Sequence, residues 1–190
     1  MNLVALIRYS WLVFWLLWIL WGLKARSQKK ATNKNDTQLY RLFHVLMMSV
    51  FICLPMFDFD NFLSDNIFEG GTFIEVLGAV IFFFSICLML WARKLLGDNW
   101  SGQIQKVNEQ NLITSGPYAI IRNPIYTGVI CGYLGTFISF HTWASMISFT
   151  GITIMLLIKT NREEKFLLQV FGEEYQAYIK KTNALIPFIY

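Results

Sequence analysis

The 190-residue chain is short of charge, of histidine and of cysteine, and each shortage removes a class of function. Charged residues make up 15% of it against 55% hydrophobic residues, a balance too apolar for a surface that faces water. The two histidines, His44 and His141, stand far apart, and neither patterns with the other members of a hydrolytic triad. Cys53, Cys87 and Cys131 fall at unrelated spacings inside apolar runs, which excludes a disulfide framework or a metal-binding ladder and leaves them as packing residues. No internal repeat is present. The first apolar run has no small-residue cleavage site and is longer than a signal-peptide core, so it reads as a retained signal anchor.

Long apolar windows are abundant. A helix that crosses ~30 Å of hydrocarbon needs roughly 20 mostly apolar residues, and five windows fit that description, at about 3–23, 39–57, 71–91, 124–140 and 143–158. The last two are separated by too few residues for anything but an antiparallel hairpin. Basic residues are retained on the cytoplasmic side of a membrane, and 15 of the 16 here fall on one side of this five-span arrangement, Arg8 being the exception. The connection after the second span carries Asp58, Asp60, Asp65 and Glu69 and no Lys or Arg. This pattern predicts an N-terminus outside and a C-terminus in the cytoplasm. The net charge of +4 therefore reflects topology, and the basic residues form no stripe suited to nucleic acid. The basic loop 24–36 reads as a solvated connection near anionic headgroups.

The chain divides by character. Residues 1–92 are plain spans and short loops, whereas 93–190 hold nearly every turn motif and carboxylate pair, and the cytoplasmic loop 93–126 within them is too long for a simple connector. Turn residues occur at Gly97-Asp98, Ser101-Gly102 and Ser115-Gly116-Pro117. Asn123-Pro124 opens the fourth span as a capped helix should, Asn offering a side-chain cap and Pro suiting the first helical position. The positive end of that helix, beside Arg122, is suited to a carboxylate or phosphate as well as to ordinary capping. Gly128, Gly132 and Gly135 predict close helix packing, with room for a ligand or acyl chain as the functional alternative. Lys159 and Glu163 share one face of the fifth helix, as an ion pair or as snorkelling anchors. Glu163-Glu164 at a membrane boundary calls for a cationic partner, from the chain or from a ligand. Tyr118 and Tyr126 bracket the helix start, where aromatic faces serve the membrane interface or hold a cation. The helical pattern continues past 158 to a break at Gly172, then a short amphipathic helix carries Tyr175, Tyr178 and Ile179 before an apolar tail at 186–189 that docks against the interface.

Four blocks in this order, Leu96-Gly97-Asp98-Asn99-Trp100-Ser101, Leu112-Ile113-Thr114-Ser115-Gly116-Pro117-Tyr118, Arg122-Asn123-Pro124-Ile125-Tyr126-Thr127-Gly128, and Glu163-Glu164 with Phe171-Gly172-Glu173-Glu174-Tyr175 and Ile186-Pro187, span about 95 residues. In them the second region resembles the isoprenylcysteine carboxyl methyltransferase family of membrane methyltransferases and, more loosely, the phospholipid methyltransferases. The resemblance implies an all-α membrane protein of about five transmembrane helices whose cytoplasmic loop and C-terminal amphipathic helix form a pocket for S-adenosylmethionine. It implies cofactor contacts from Gln103, Gln110, Asn111, Leu112, Ile113, Tyr118, Asn123, Pro124, Ile125, Tyr126 and Glu163, with no metal. Lys159, and Arg122 beside the helix start, become the candidate catalytic residues, Lys159 orienting a lipid-like or small amphiphilic acceptor that enters from the bilayer. Two positions depart from the family pattern: Asn123 stands where His is common and Lys159 where Arg is usual. The second loses the planar fork that grips a carboxylate, which leaves the acceptor open between a carboxylate and another nucleophile. A nicotinamide-dependent sterol-type reductase and a non-catalytic membrane scaffold of the same fold are the alternatives.

Overall fold

A computed structural model describes residues 2–28, 38–97 and 112–185, with the backbone alone for 23–28 and 38–42. Among these residues the protein is all-helical: α1 Leu3–Gln28, α2 Gln38–Cys53, α3 Thr72–Leu96, α4 Pro124–Phe140, α5 Trp143–Phe171 and α6 Glu173–Ile179, with 3-10 turns at Leu54–Met56, Phe62–Ser64 and Gly116–Ala119. Three helices are long and apolar enough to cross a membrane, within Leu3–Gly22, Thr72–Leu96 and Trp143–Phe171. α2 and α4 are apolar but shorter, 16 and 17 residues, or about 24–26 Å at 1.5 Å per residue. The window expected at 39–57 is cut short because Pro55 converts its last turn to the Leu54–Met56 3-10 turn. The chain is an integral membrane protein, and its outer surface is built accordingly: Leu16, Leu20, Phe73, Val80 and Phe84 are each more than half exposed.

The inner surface follows helical spacing. In α1, Ile7, Trp11 and Phe14 are buried one turn apart, and in α3 Gly78, Phe82, Ser85, Met89 and Ala92 form one stripe. α4 receives both. Trp11 donates from Nε1 to Thr136 Oγ1 at 2.9 Å and stacks on Tyr133 with ring centroids 4.6 Å apart. α3 and α4 touch through their backbones, since a Cβ added at Gly135 would lie 2.6 Å from the Gly78 carbonyl oxygen and 2.7 Å from the Phe82 nitrogen. At Gly132 a Cβ would meet Ser85 Oγ and the Trp11 ring, and at Gly128 the Met89 side chain. The glycine face is thus filled by α1 and α3, as the expectation of close helix packing had it, and the alternative of room for a ligand or acyl chain is corrected.

The α4–α5 hairpin turns at His141, left-handed at φ 44°, and Thr142 caps α5 through a reciprocal box with Ser145. At the same end of the bundle Arg8, the lone basic residue outside the positive-side pattern, is held by Asp58. Its Nη1 and Nη2 donate to the carboxylate at 2.9 and 2.6 Å, Nε donates to the Pro55 carbonyl at 3.1 Å, and the guanidinium lies 5.5 Å from the Phe140 ring centroid.

Two predictions follow from these contacts. Gly135→Ala forces two backbones apart and is expected to cost about 1–3 kcal/mol, read as a lower melting midpoint of the purified protein, whereas Gly128→Ala meets chiefly a side chain and costs less. The Arg8 hydrogen bonds hold the Asp58 carboxyl below its ordinary value of 3.8. Since a depressed carboxyl contributes stability above its unfolded value and loses it as pH falls through the folded one, the pair is intact at neutral pH and opens only in acid. An NMR titration of Asp58 checks this, with Arg8→Met returning the carboxyl to the ordinary range.

Candidate active site

The start of α4 is built by a segment distant in sequence. Residues 183–185 run beside 120–127: Asn183 N–H donates to the Ile120 carbonyl at 3.0 Å, Arg122 N–H to the Asn183 carbonyl at 2.8 Å, and Asn123 N–H to the Ala184 carbonyl at 3.1 Å. The Asn123 side chain also donates to the Ala184 carbonyl, at 3.1 Å, and Thr127 Oγ1 donates to the Leu185 carbonyl at 2.6 Å. Asn123 occupies the N-cap position without a side-chain cap bond. The expected side-chain capping is therefore corrected: the neighbouring carbonyl takes the amide, and the Asn123 carbonyl accepts from Thr127 N–H.

Arg122 departs from expectation for a related reason. Its Nε donates to Glu164 Oε1 at 2.7 Å, and its Nη1 donates to the carbonyls of Thr182 and Ile179. Both partners of the ion pair are largely buried, with side chains 8% and 17% exposed. The guanidinium thus braces α4, α5 and the C-terminal segment instead of facing a ligand carboxylate or phosphate, because Glu164 supplies the nearer anion. α6 closes the same corner. Tyr178 Oη donates to the Tyr118 carbonyl at 2.6 Å, and burial raises the Tyr178 phenol to about 12, so it keeps its proton throughout the physiological range. Burial likewise raises the phenols of Tyr118 and Tyr175.

Beside this brace lies the second carboxylate. Glu163, whose side chain is 19% exposed, accepts the Tyr126 hydroxyl at 2.8 Å on Oε1 and 2.7 Å on Oε2. Lys159 Nζ is 3.8 Å from Glu163 Oε1 and 5.1 Å from the Tyr126 ring centroid. A carboxylate, an aromatic face and an ammonium therefore meet where α4 begins and α5 leaves the apolar layer. Ala92, Tyr118 and Ile125 form a buried wall, with Ile113, Leu95 and Tyr126 packed against it. Pro124 is fully buried, and Leu112 is partly so. Ile125 is thus a wall residue, and neither its side chain nor that of Pro124 offers a polar contact. Gln103, Gln110 and Asn111 lie outside the described residues, as do the Ser101-Gly102 turn and the tail at 186–189.

A model of the phospholipid methyltransferase family matches residues 73–174, more than half of the chain. The chain belongs to the phospholipid methyltransferase family. The matched region takes in α3, the whole α4–α5 hairpin and both Tyr126 and Glu163. The human protein-S-isoprenylcysteine O-methyltransferase is 32% identical over 137 residues, covering 68% of this chain and 48% of that protein. The methanethiol S-methyltransferase of Pseudomonas deceptionensis is 36% identical over 70 residues, 37% of this chain and 26% of that protein. The chain spans about half the length of the isoprenylcysteine relatives it matches. The solved structure of the eukaryotic intramembrane Ras methyltransferase ICMT (isoprenylcysteine carboxyl methyltransferase) aligns with all of this chain and 69% of its own, at a TM-score of 0.59 and 20% identity, a likeness of fold. That protein is intramembrane by its description.

Sequence reasoning missed the residues that hold the site: Thr127, Thr182 and the carbonyls of 183–185. The available signals were a threonine inside an apolar span and an apolar stretch too short to be a further span. Removing one member of the Arg122–Glu164 pair leaves a charge in a largely buried place, so Arg122→Met is expected to cost about 3–5 kcal/mol. The double variant Arg122→Met, Glu164→Leu is expected to be the more stable of the two in thermal denaturation.

Proposed function

We propose that this family member is an S-adenosylmethionine-dependent methyltransferase that methylates a carboxylate or other nucleophile of a lipid-like or small amphiphilic acceptor. The observation that carries the proposal is the pairing of Glu163 with Tyr126 beside Lys159. An anion backed by an aromatic face suits a cationic ligand, and the donor carries an ammonium and a sulfonium. The family match and the names of the relatives, an O-methyltransferase and an S-methyltransferase, support methyl transfer and leave the reductase alternative without support.

When bound, S-adenosylmethionine supplies an activated methyl carbon whose bond to sulfur breaks as the acceptor's lone pair attacks, the bonding pair returning to sulfur. The chain's task is to hold, orient and exclude water. Glu163 takes the donor's ammonium group, and Tyr126 fixes the carboxylate that does so. The N-terminus of α4, whose first turn carries no side-chain cap, favours the donor's carboxylate. Tyr118, Ile113 and Ile125 form an apolar wall, and Leu112, Gln103, Gln110 and Asn111 complete the cofactor contacts. Arg122 acts as a positioning residue through Glu164, and Lys159 orients the acceptor. A carboxylate acceptor needs no base. The high value that burial gives the Tyr118 phenol makes it a poor base for an amine or thiol.

We assign the chemistry to residues 93–190 and a scaffolding role to 1–92, with the N-terminus outside and the site and C-terminus cytoplasmic. Membrane lipids are the surroundings from which the acceptor enters, and nucleic acid has no part. The test is transfer of labelled methyl from S-adenosylmethionine into a total lipid and metabolite extract by the purified protein. Label appears in an amphiphilic fraction with the unaltered chain and falls about 10- to 100-fold with Glu163→Gln, as loss of a charge-assisted ligand contact predicts. Equal labelling by both proteins would refute the assignment of Glu163, and no labelling by either would refute methyl transfer.

A further inference from the structure

Lys159 is held differently from Arg122, the other cation beside the site. Arg122 is locked at 2.7 Å to Glu164 and to two carbonyls. Lys159 lies 3.8 Å from Glu163 Oε1, beyond hydrogen-bond range, and 5.1 Å from the Tyr126 ring centroid, with its side chain 26% exposed. It therefore neighbours Glu163 by charge alone, at the end of a flexible four-carbon stem. The Tyr126 proton is spent on Glu163, which fixes both the carboxylate and the aromatic face on which a cation can rest. Two cations drawn to one carboxylate and one ring repel each other, and at this spacing the repulsion is large enough to move the more mobile one.

We propose that Lys159 and the ammonium group of the methyl donor compete for Glu163 and the Tyr126 face, so that donor binding turns Lys159 away from Glu163 and toward the acceptor. The inference rests on the methyltransferase reading above and adds an order of events: the ammonium that orients the acceptor is released only when the donor has arrived. Lys159 is a tethered counter-ion before it is an acceptor contact. Its i,i+4 relation to Glu163 keeps it close enough to return when the product leaves.

The test is calorimetric titration of the full chain in lipid nanodiscs with S-adenosylhomocysteine, the donor's demethylated product, which keeps the ammonium. Lys159→Met preserves the length of the side chain and removes its charge, and Lys159→Arg keeps the charge. Because a half-buried ion pair at 3.8 Å that makes no hydrogen bond contributes a few-fold at most, Lys159→Met is expected to bind about two- to five-fold more tightly than the unaltered chain, with Lys159→Arg within about twofold of the unaltered chain. Unchanged or weaker binding by Lys159→Met, or equal tightening by both variants, would overturn the competition while leaving the methyltransferase reading standing. Failure of the unaltered, folded chain to bind would instead bring down that reading and this one with it.

Discussion

α4 has almost no surface of its own, and the placement of everything else depends on that. Eleven of its 17 residues are buried, because a different part of the chain occupies each side. Gly128, Gly132 and Gly135 admit the α3 backbone and the Trp11 ring, Tyr133 donates to the Ile52 carbonyl of α2 at 3.4 Å, and Thr127 and Asn123 bind the C-terminal segment. Tyr126 reaches α5 at the head of the helix. In a bilayer, where lipid tails are as apolar as leucine, such contacts hold by close packing and hydrogen bonds and not by expulsion of water. The glycines make the approach possible, and the hydroxyls fix its register.

The site inherits its precision from this arrangement. Glu163 and Glu164 are sequence neighbours that point to different partners, and the difference separates structure from chemistry. Glu164 is consumed by Arg122 in a brace joining three segments, whereas Glu163 meets a phenol and a loosely held ammonium. A carboxylate at the edge of the hydrocarbon layer needs a cation. The chain supplies one firmly for Glu164 and one provisionally for Glu163.

Much of this was legible in the sequence. Hydropathy found the long helices, the short link before Trp143 and the break at Gly172 marked the ends of α5, and the i,i+4 spacing put Lys159 beside Glu163. Tyr175 and Tyr178 were expected on one face, and both are buried. The shortening of the second span by Pro55 was readable in principle and was missed because hydropathy alone does not see a 3-10 turn. Pairings at long range were not readable. Arg122 has the same residue type and location whether it faces a ligand or Glu164, and the choice is made by residues 42 and 60 positions away. Asn123 looked like a cap because the carbonyl that claims its amide belongs to Ala184, 61 residues later.

The ion pair at the other end of the bundle carries a consequence for how the protein is made. Arg8 and Asp58 are 50 residues apart, with all of α2 between them. The Arg8 guanidinium can pair with Asp58 only after α2 has followed α1 and the loop behind it has folded back. The Arg8 side chain therefore meets its carboxylate only once residues translated well after it are in place, at an edge of the bundle where Asp58 stays largely exposed.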